Sequence, residues 1–309
     1  MNKIVIYGFG RMGITHYALL NQLFEKIEVT FVEPNVKLNY LSKKNIFAKF
    51  KGKSTNEDQE FDYALICSPP IYHEKILKEC IKKRHKNIFV EKPFGGSNDD
   101  FTFARKIPNL RVGYVMRFNP IINWLKKNID VNKVNYVSAY YNSNTIERKP
   151  KGWRNGPYSG VLNEMGSHII DILIYLFDLS SPTIHNSEIH SIISDVDDIC
   201  SINLSDNGID YNLDFNWVNK EYRKPIFGIK IRFEENIEYN IDQQNIIIKK
   251  NNNIIKKISV ADLLVSVPFY LRGSEFTLQM MDFIGDQKIM ATVDDAIKNR
   301  NIINRVLNQ

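Results

Sequence analysis

Over the first 118 or so residues, short apolar runs alternate with longer stretches of mixed character. Residues 3–7 (KIVIY), 27–32, 63–67 (YALIC), 87–90 and 112–116 are apolar on both faces, the pattern of strands in a sheet covered on both sides. Between them, residues 15–24, 72–83 and 99–106 read as helices, the last with Ser97 as its N-cap. Strand and helix in turn predict an α/β domain built on a doubly wound parallel sheet. Beyond Pro120 the period changes. Tyr211, Leu213, Phe215 and Trp217 alternate with Asn212, Asp214 and Asn216, and Ile229, Ile231 and Phe233 alternate with Lys230, Arg232 and Glu234. A period of two predicts strands with one wet face, in a mostly antiparallel sheet. Asp206-Asn207-Gly208 and, more loosely, Asn251-Asn252-Asn253 mark hairpin turns. A long helix is expected over residues 160–178. Another begins at Thr292, whose hydroxyl could cap it with Asp295. The expectation is two domains: residues 1–118, α/β, and residues 119–309, α+β.

Composition narrows the functional classes. The 309 residues suit two domains, and 43% hydrophobic with 25% charged residues excludes a disordered, collagen-like or coiled-coil chain. Lys and Arg number 41 against 35 Asp and Glu, a net charge of +6, but they are scattered, so no nucleic-acid partner is expected. Cys67, Cys80 and Cys200 have no paired spacing, so neither a disulfide framework nor a metal site is expected, and a reducing cytoplasm fits. No secretion signal is read at Met1, which leads straight into an apolar strand. No membrane span is expected either: the longest apolar stretch, residues 169–177, is interrupted by Asp171 and falls short of the ~20 residues a span needs.

The first strand runs into Gly8-Phe9-Gly10-Arg11-Met12-Gly13 and then a helix. In that context Gly8 permits a tight turn, Gly10 lets backbone N–H groups approach a pyrophosphate, and Gly13 lets helix and strand pack closely. The helix N-terminus adds partial positive charge. Glu33 closes the second strand about 20 residues past Gly13, where a carboxylate can accept from the adenosine ribose hydroxyls. The cofactor expected is NAD, since Glu33 would repel a 2′-phosphate; Arg11 and Lys37 are near enough in sequence to keep NADP open. Cys67-Ser68-Pro69-Pro70 ends a strand where a parallel sheet opens its ligand crevice. Ser68 could reach the cofactor, cap the next helix, or both. His73, one turn on, is either a cofactor neighbour or a solvated helix residue.

These residues, with Glu91-Lys92-Pro93, Gly113-Tyr114 to Arg117-Phe118-Asn119-Pro120, Trp153-Arg154, and Gly160 through Glu164-Met165-Gly166-Ser167-His168 to Asp171, occur in an order that resembles the glucose-fructose oxidoreductase / inositol dehydrogenase / rhizopine-catabolism (Gfo/Idh/MocA) family. The resemblance extends over essentially the whole chain, including Thr292-Val293-Asp294-Asp295-Ala296 and the helix after it. It implies an N-terminal Rossmann domain, a C-terminal domain with an open-faced sheet often used to form dimers or tetramers, and reversible oxidation of a sugar or cyclitol hydroxyl. In its terms Gly8 to Gly13, Glu33, Ser68, Pro69, His73, Glu91 and Lys92 face the cofactor.

Oxidising a secondary alcohol needs hydride departure while a base takes the hydroxyl proton and a cation steadies the developing alkoxide. Lys92, after the strand at residues 87–90, would project from the carboxyl end of the sheet and could relay a proton. Alternatively it is a surface lysine in a proline turn. His168 lies four residues after Glu164, so on a helix the two share a face, and an imidazole titrates near working pH. The alternative is a surface pair or a satisfied core histidine. Asp171 could contact His168 or be solvated. Arg117, Asn119, Trp153, Arg154 and Tyr158 are candidates, with Lys92, Glu164 and His168, for a polyhydroxylated substrate. His16, His85, His185 and His190 read as structural. The family usually has Asp at the position of Glu164 and a longer glycine run at Ser159-Gly160-Val161, departures that bear on which substrate fits. The expected function is a dehydrogenase or reductase acting on a sugar, nucleotide sugar or cyclitol. An epimerase- or glycosidase-like enzyme that retains NAD, or a dinucleotide-sensing regulator, are the alternatives; a regulator would need neither Lys92 nor His168.

Overall fold

The structure, a computed structural model, describes residues 1–34, 49–51, 59–96, 99–263 and 266–309. Lys37 and Ser97, weighed above, lie outside the described residues. Among the described residues the strands are β1 (Asn2–Tyr7), β2 (Ile27–Val32), β3 (Lys49–Lys51), β4 (Tyr63–Ile66), β5 (Asn87–Val90), β6 (Leu110–Val112), β7 (Val134–Asn142), β8 (Thr183–His190), β9 (Ile199–Asp206), β10 (Ile209–Asn216), β11 (Ile226–Phe233), β12 (Ile237–Asp242), β13 (Asn245–Lys250) and β14 (Asn253–Ser259). The α-helices are α1 (Arg11–Leu23), α2 (His73–Lys82), α3 (Pro120–Asn128), α4 (Ser167–Phe177), α5 (Ser274–Ile284) and α6 (Val293–Leu307). None of them is long and apolar enough to cross a membrane.

Two compact units result: Met1–Tyr114 with Phe269–Ala296, and Val115–Pro268 with Ile297–Gln309. The return of residues 269–296 to the first unit has no signal in the chain's periodicity. It follows from packing: Phe283 on α5 sets its ring 5.7 Å from that of Tyr63 on β4 and 5.5 Å from that of Phe89 on β5.

The first unit holds a sheet in the order β3-β2-β1-β4-β5-β6, with each paired strand parallel to its neighbour. This is the Rossmann order, and the reversal between β1 and β4 is its switch point. The strand interiors are wholly buried, among them Ile4, Val5, Ile6, Leu65, Ile66, Phe89 and Val90. Two local expectations are corrected. The strand expected at residues 112–116 is Leu110–Val112; the N–H of Tyr114 turns back to the carbonyl of Val112, and Val115–Phe118 forms a 3₁₀ turn. The helix expected at residues 99–106 is only a 3₁₀ segment, Thr102–Lys106, and the Asp100 carboxylate takes both the N–H and the hydroxyl of Thr102, a local bond that competes with a regular helix.

In the second unit the sheet runs β14-β13-β12-β11-β7-β10-β9-β8. All its pairs are antiparallel except β7 with β10. Both hairpin turns form as the sequence predicts: Asn207 (φ 51°) and Gly208 (φ 78°) join β9 to β10, and Asn251 (φ 49°) and Asn252 (φ 65°) join β13 to β14. Left-handed backbone at both central residues matches the strand twist, which is why Asn and Gly stand there. One sheet face buries Val137, Leu213, Phe215 and Ile229 in a core shared with Ile169, Leu173 and Leu176 of α4. That helix, apolar almost all round, is buried except at Tyr175. The other face carries polar pairs such as Ser201 to Asp214 and Asn212 to Asn203, each 2.7 Å. The helix expected at residues 160–178 is a π-turn, Leu162–Gly166, leading into α4. At α6, Thr292 and Asp295 form the expected reciprocal cap, at 3.0 and 3.2 Å.

Candidate active site

In the first unit, hydrogen bonds continue across the carboxyl ends of the strands. Gly8 donates to Val32, Cys67 to Tyr7, Glu91 to Ile66 and Gly113 to Val90, at 2.8–2.9 Å. This row brings the glycine turn, the Ser68-Pro69 turn and the Glu91-Lys92-Pro93 turn to one edge of the sheet. Gly8 (φ 102°) has left-handed backbone, and a side chain there would also meet the Cys67 carbonyl at 2.9 Å; a Cβ on Gly13 would collide with the Gly8 carbonyl. At Gly10, by contrast, a Cβ would meet nothing within 4 Å. Gly10 is also the N-cap of α1, so no side chain caps that helix, and its first turn carries no acidic residue. Arg11 is exposed, and Phe9 and Met12 are half-buried. One oxygen of Glu33 accepts the Phe9 N–H at 2.8 Å, which fixes the carboxylate beside the turn.

Ser68 is half-buried, and its hydroxyl has no hydrogen-bond partner among the described residues. His73 is fully buried rather than solvated, and its Nε2 donates to the Ser68 carbonyl at 2.9 Å. Burial holds the imidazole below its ordinary pKa, against opposing backbone bonds. It braces the turn that carries Ser68. Lys92 is half-buried, and its peptide bond to Pro93 is cis. Glu91 is buried and bonds to Nε2 of His16 at 2.6 Å. No local signal marks that pairing, because the residues lie 75 positions apart.

In the second unit, Glu164 sits in the π-turn and His168 at the start of α4. In a π-turn the hydrogen bonds run i→i+5, so the α-helical rule that residues i and i+4 share a face does not carry over unchanged. Ser159 donates to Glu164 Oε1 at 3.1 Å, and the Arg154 guanidinium lies 4.0 Å from the same oxygen. Arg154 in turn lies over the ring of Trp153 at 5.2 Å. His168 is 9% exposed, with its ring 6.4 Å from that of Tyr141. Tyr158 is half-buried. Asp171 is wholly buried rather than solvated, and it grips Arg117 through two bonds of 2.8 and 2.7 Å. Asn119 is buried as the N-cap of α3, accepting the Ile121 N–H at 2.9 Å.

Residues 2–102 match the model of the oxidoreductase family with an NAD-binding Rossmann fold. The match covers about a third of the chain, its nucleotide-binding stretch. A curated relative, glucose-6-phosphate 3-dehydrogenase of Bacillus subtilis (strain 168), is 26% identical over 195 residues, covering 58% of this chain and 54% of that protein. The chain thus spans about half the length of the curated relative it matches. Two solved structures share the fold of the whole chain. Levoglucosan dehydrogenase in complex with NADH has a TM-score of 0.80 at 15% identity, covering 99% of this chain and 96% of that one. UDP-N-acetylglucosamine 3-dehydrogenase from Acidithiobacillus ferrooxidans has a TM-score of 0.72 at 15% identity, with the same coverage.

A domain that binds a dinucleotide must cradle a pyrophosphate, and the residues present fit NAD. The open space at Gly10, the uncapped start of α1 and the Ser68 hydroxyl, which has no partner among the described residues, are each suited to an anionic, hydrogen-bonding ligand. Gly8 to Gly13, Glu33 and Ser68 would hold it.

The π-turn has its own anchor. Asp197, buried, accepts the Leu162 N–H through its carboxylate and the Val161 N–H through its carbonyl, both at 2.7 Å. Gly160 (φ 106°) leaves the room: a Cβ there would overlap the Asp197 carboxylate. Burial pushes this carboxyl up from 3.8 to about 7, against the Leu162 bond. Between those values the folded chain holds a proton that the unfolded chain has released, so this group's contribution to stability falls as pH rises from about 4 to about 7. Asp197→Asn is expected to flatten that part of the stability profile. Denaturant unfolding at several pH values measures it, and an unchanged slope would show that Asp197 does not titrate there.

Proposed function

We propose that the protein is an NAD-dependent dehydrogenase or reductase acting on a secondary hydroxyl or ketone of a sugar, nucleotide sugar or cyclitol. The observation that carries this reading is the turn holding Lys92, which leaves the sheet in the same row of strand ends as the glycine turn and Glu33. Bound NAD supplies the hydride acceptor. Lys92, as an ammonium, steadies negative charge on the substrate oxygen and relays a proton. His168 takes the hydroxyl proton in the oxidative direction and returns it in the reductive one. Glu164, oriented by Ser159 and close to Arg154, binds a neighbouring hydroxyl. Trp153 and Tyr158 offer aromatic faces to the sugar ring.

The test is a panel of glucose 6-phosphate, levoglucosan, UDP-N-acetylglucosamine and inositol with NAD and with NADP, read as reduced-nicotinamide absorbance. Accumulation of NADH with one of them is expected. Conversion of a substrate without net NADH would point instead to an enzyme that retains its cofactor. No conversion and no NAD binding would overturn the proposal.

NAD is favoured over NADP through Glu33. Glu33→Ala is expected to weaken NAD by about tenfold, the scale of losing hydrogen bonds to a charged group, and to relax the rejection of NADP. Fluorescence titration with both reduced cofactors checks it. Tighter binding of NADPH than NADH to the unaltered protein would show that Glu33 does not play this part.

A further inference from the structure

His16 lies on the inner face of α1, three residues past Gly13, and is wholly buried. Its ring stands edge-on to Phe89 of β5, with centroids 4.9 Å apart. Past that ring, Nε2 meets Glu91 Oε1 at 2.6 Å, where Nε2 carries the hydrogen and the carboxylate accepts it. The other carboxylate oxygen, Oε2, accepts the backbone N–H of Lys92 at 3.2 Å. Gly113 leaves space for the Phe89 ring: a Cβ there would lie 2.6 Å from its Cζ.

A carboxylate in an apolar interior is costly, and apolar residues of similar volume often hold a core as well or better. What an apolar pair cannot do is reach from one element to a chosen backbone atom on another. Here the polar chain runs from the helix that begins at the glycine turn, through His16 and Glu91, to the main chain of Lys92. In the sheet β4 stands between β1 and β5.

We propose that His16 and Glu91 are positioning residues that lock the main chain of Lys92 to helix α1, so that the cofactor cradle and the reactive amine are held as one body. This rests on the reading of Lys92 given above. A misplacement of about 1 Å can cost up to about 100-fold in rate, so the coupling has a measurable effect.

The experiment compares His16→Leu, His16→Gln and Glu91→Gln with the parent protein. Leu keeps the packing and removes the hydrogen bond, whereas the Gln amide can place a donor near the position of Nε2. Two readouts are taken. One is the labelling rate of the Lys92 amine by an acylating reagent, followed by mass spectrometry with and without NAD, which needs no turnover. The other is steady-state kinetics on whichever substrate the panel identifies. The expected result is a changed Lys92 labelling rate and a kcat lowered by roughly 10- to 100-fold in His16→Leu. The KM for NAD stays within a few-fold, and His16→Gln recovers most of the loss. If His16→Leu does not fold, Glu91→Gln is expected to show the same split. Parental labelling and kcat in folded variants would overturn the proposal, as would equal losses in the Leu and Gln variants that track thermal stability alone. An inactive parent protein would count against the function proposed above, while the labelling would still decide the positioning role.

Discussion

Lys92→Ala is expected to lower turnover by about 10²- to 10⁴-fold, the usual contribution of a positioned proton-transfer group, while NADH binds within a few-fold of the parent affinity. The two effects separate because the groups that would hold the dinucleotide are the glycine turn, Glu33 and Ser68, with Glu33 fixed beside the turn by the Phe9 N–H. Steady-state kinetics and a fluorescence titration on the same preparation measure both. Lys92→Arg divides the role further. Arginine keeps the positive charge but does not release a proton in proteins, so an alkoxide-stabilising role survives in part and a relay role does not. Undiminished turnover in Lys92→Ala would remove the amine from the reaction.

The second large effect concerns stability. Arg117 and Asp171 form a two-pronged pair with side chains 4% and 0% exposed, and the guanidinium also lies over Tyr175 at 5.0 Å. Removing either partner leaves a buried charge without its counterpart, so Arg117→Ala or Asp171→Ala is expected to lose about 3–5 kcal/mol. Each kcal/mol shifts the midpoint by roughly 2–4 °C in a unit of this size, so thermal unfolding detects the change readily. Replacing both together, Arg117→Met with Asp171→Leu, is expected to recover most of the loss, since the pair's desolvation cost goes with its attraction. If the double variant is as unstable as the singles, the pair is doing more than satisfying its own charges.

Much of the fold is written in local sequence signals. The glycine turn, the strand before it, the helix after it and the place of Glu33 at the end of the next strand are legible because each has a local cause: left-handed backbone at Gly8, close packing at Gly13, and a fixed strand-to-strand distance. The hairpins at residues 207–208 and 251–252 are legible for the same reason, since Asn and Gly tolerate φ near +50° to +80° at little cost. Side chains whose roles come from distant partners are not legible. His16 looks like any helix residue until Glu91 is brought beside it. Arg117 and Asp171 lie 54 positions apart, so the sequence offers Arg117 as a candidate for the substrate pocket and Asp171 as a neighbour of His168 or a solvated charge, with no sign that the two pair. The parallel pairing of β7 with β10 in an otherwise antiparallel sheet is equally silent, because alternation reports which face is wet and not which strand is the neighbour. The π-turn is a further case: apolar periodicity over residues 160–178 announces a helix but does not show the extra residue in one turn.

The excursion and return of the chain through its first unit bears on how that unit can be handled. A fragment cut after Tyr114 keeps the glycine turn, Glu33 and Lys92 but loses α5. It would leave the aromatic surface of Tyr63 and Phe89 without the Phe283 ring that meets it. Excising the nucleotide-binding half as a tidy N-terminal module would therefore produce a sticky protein, and on the ribosome its last helix arrives only after almost all of the other unit has been made.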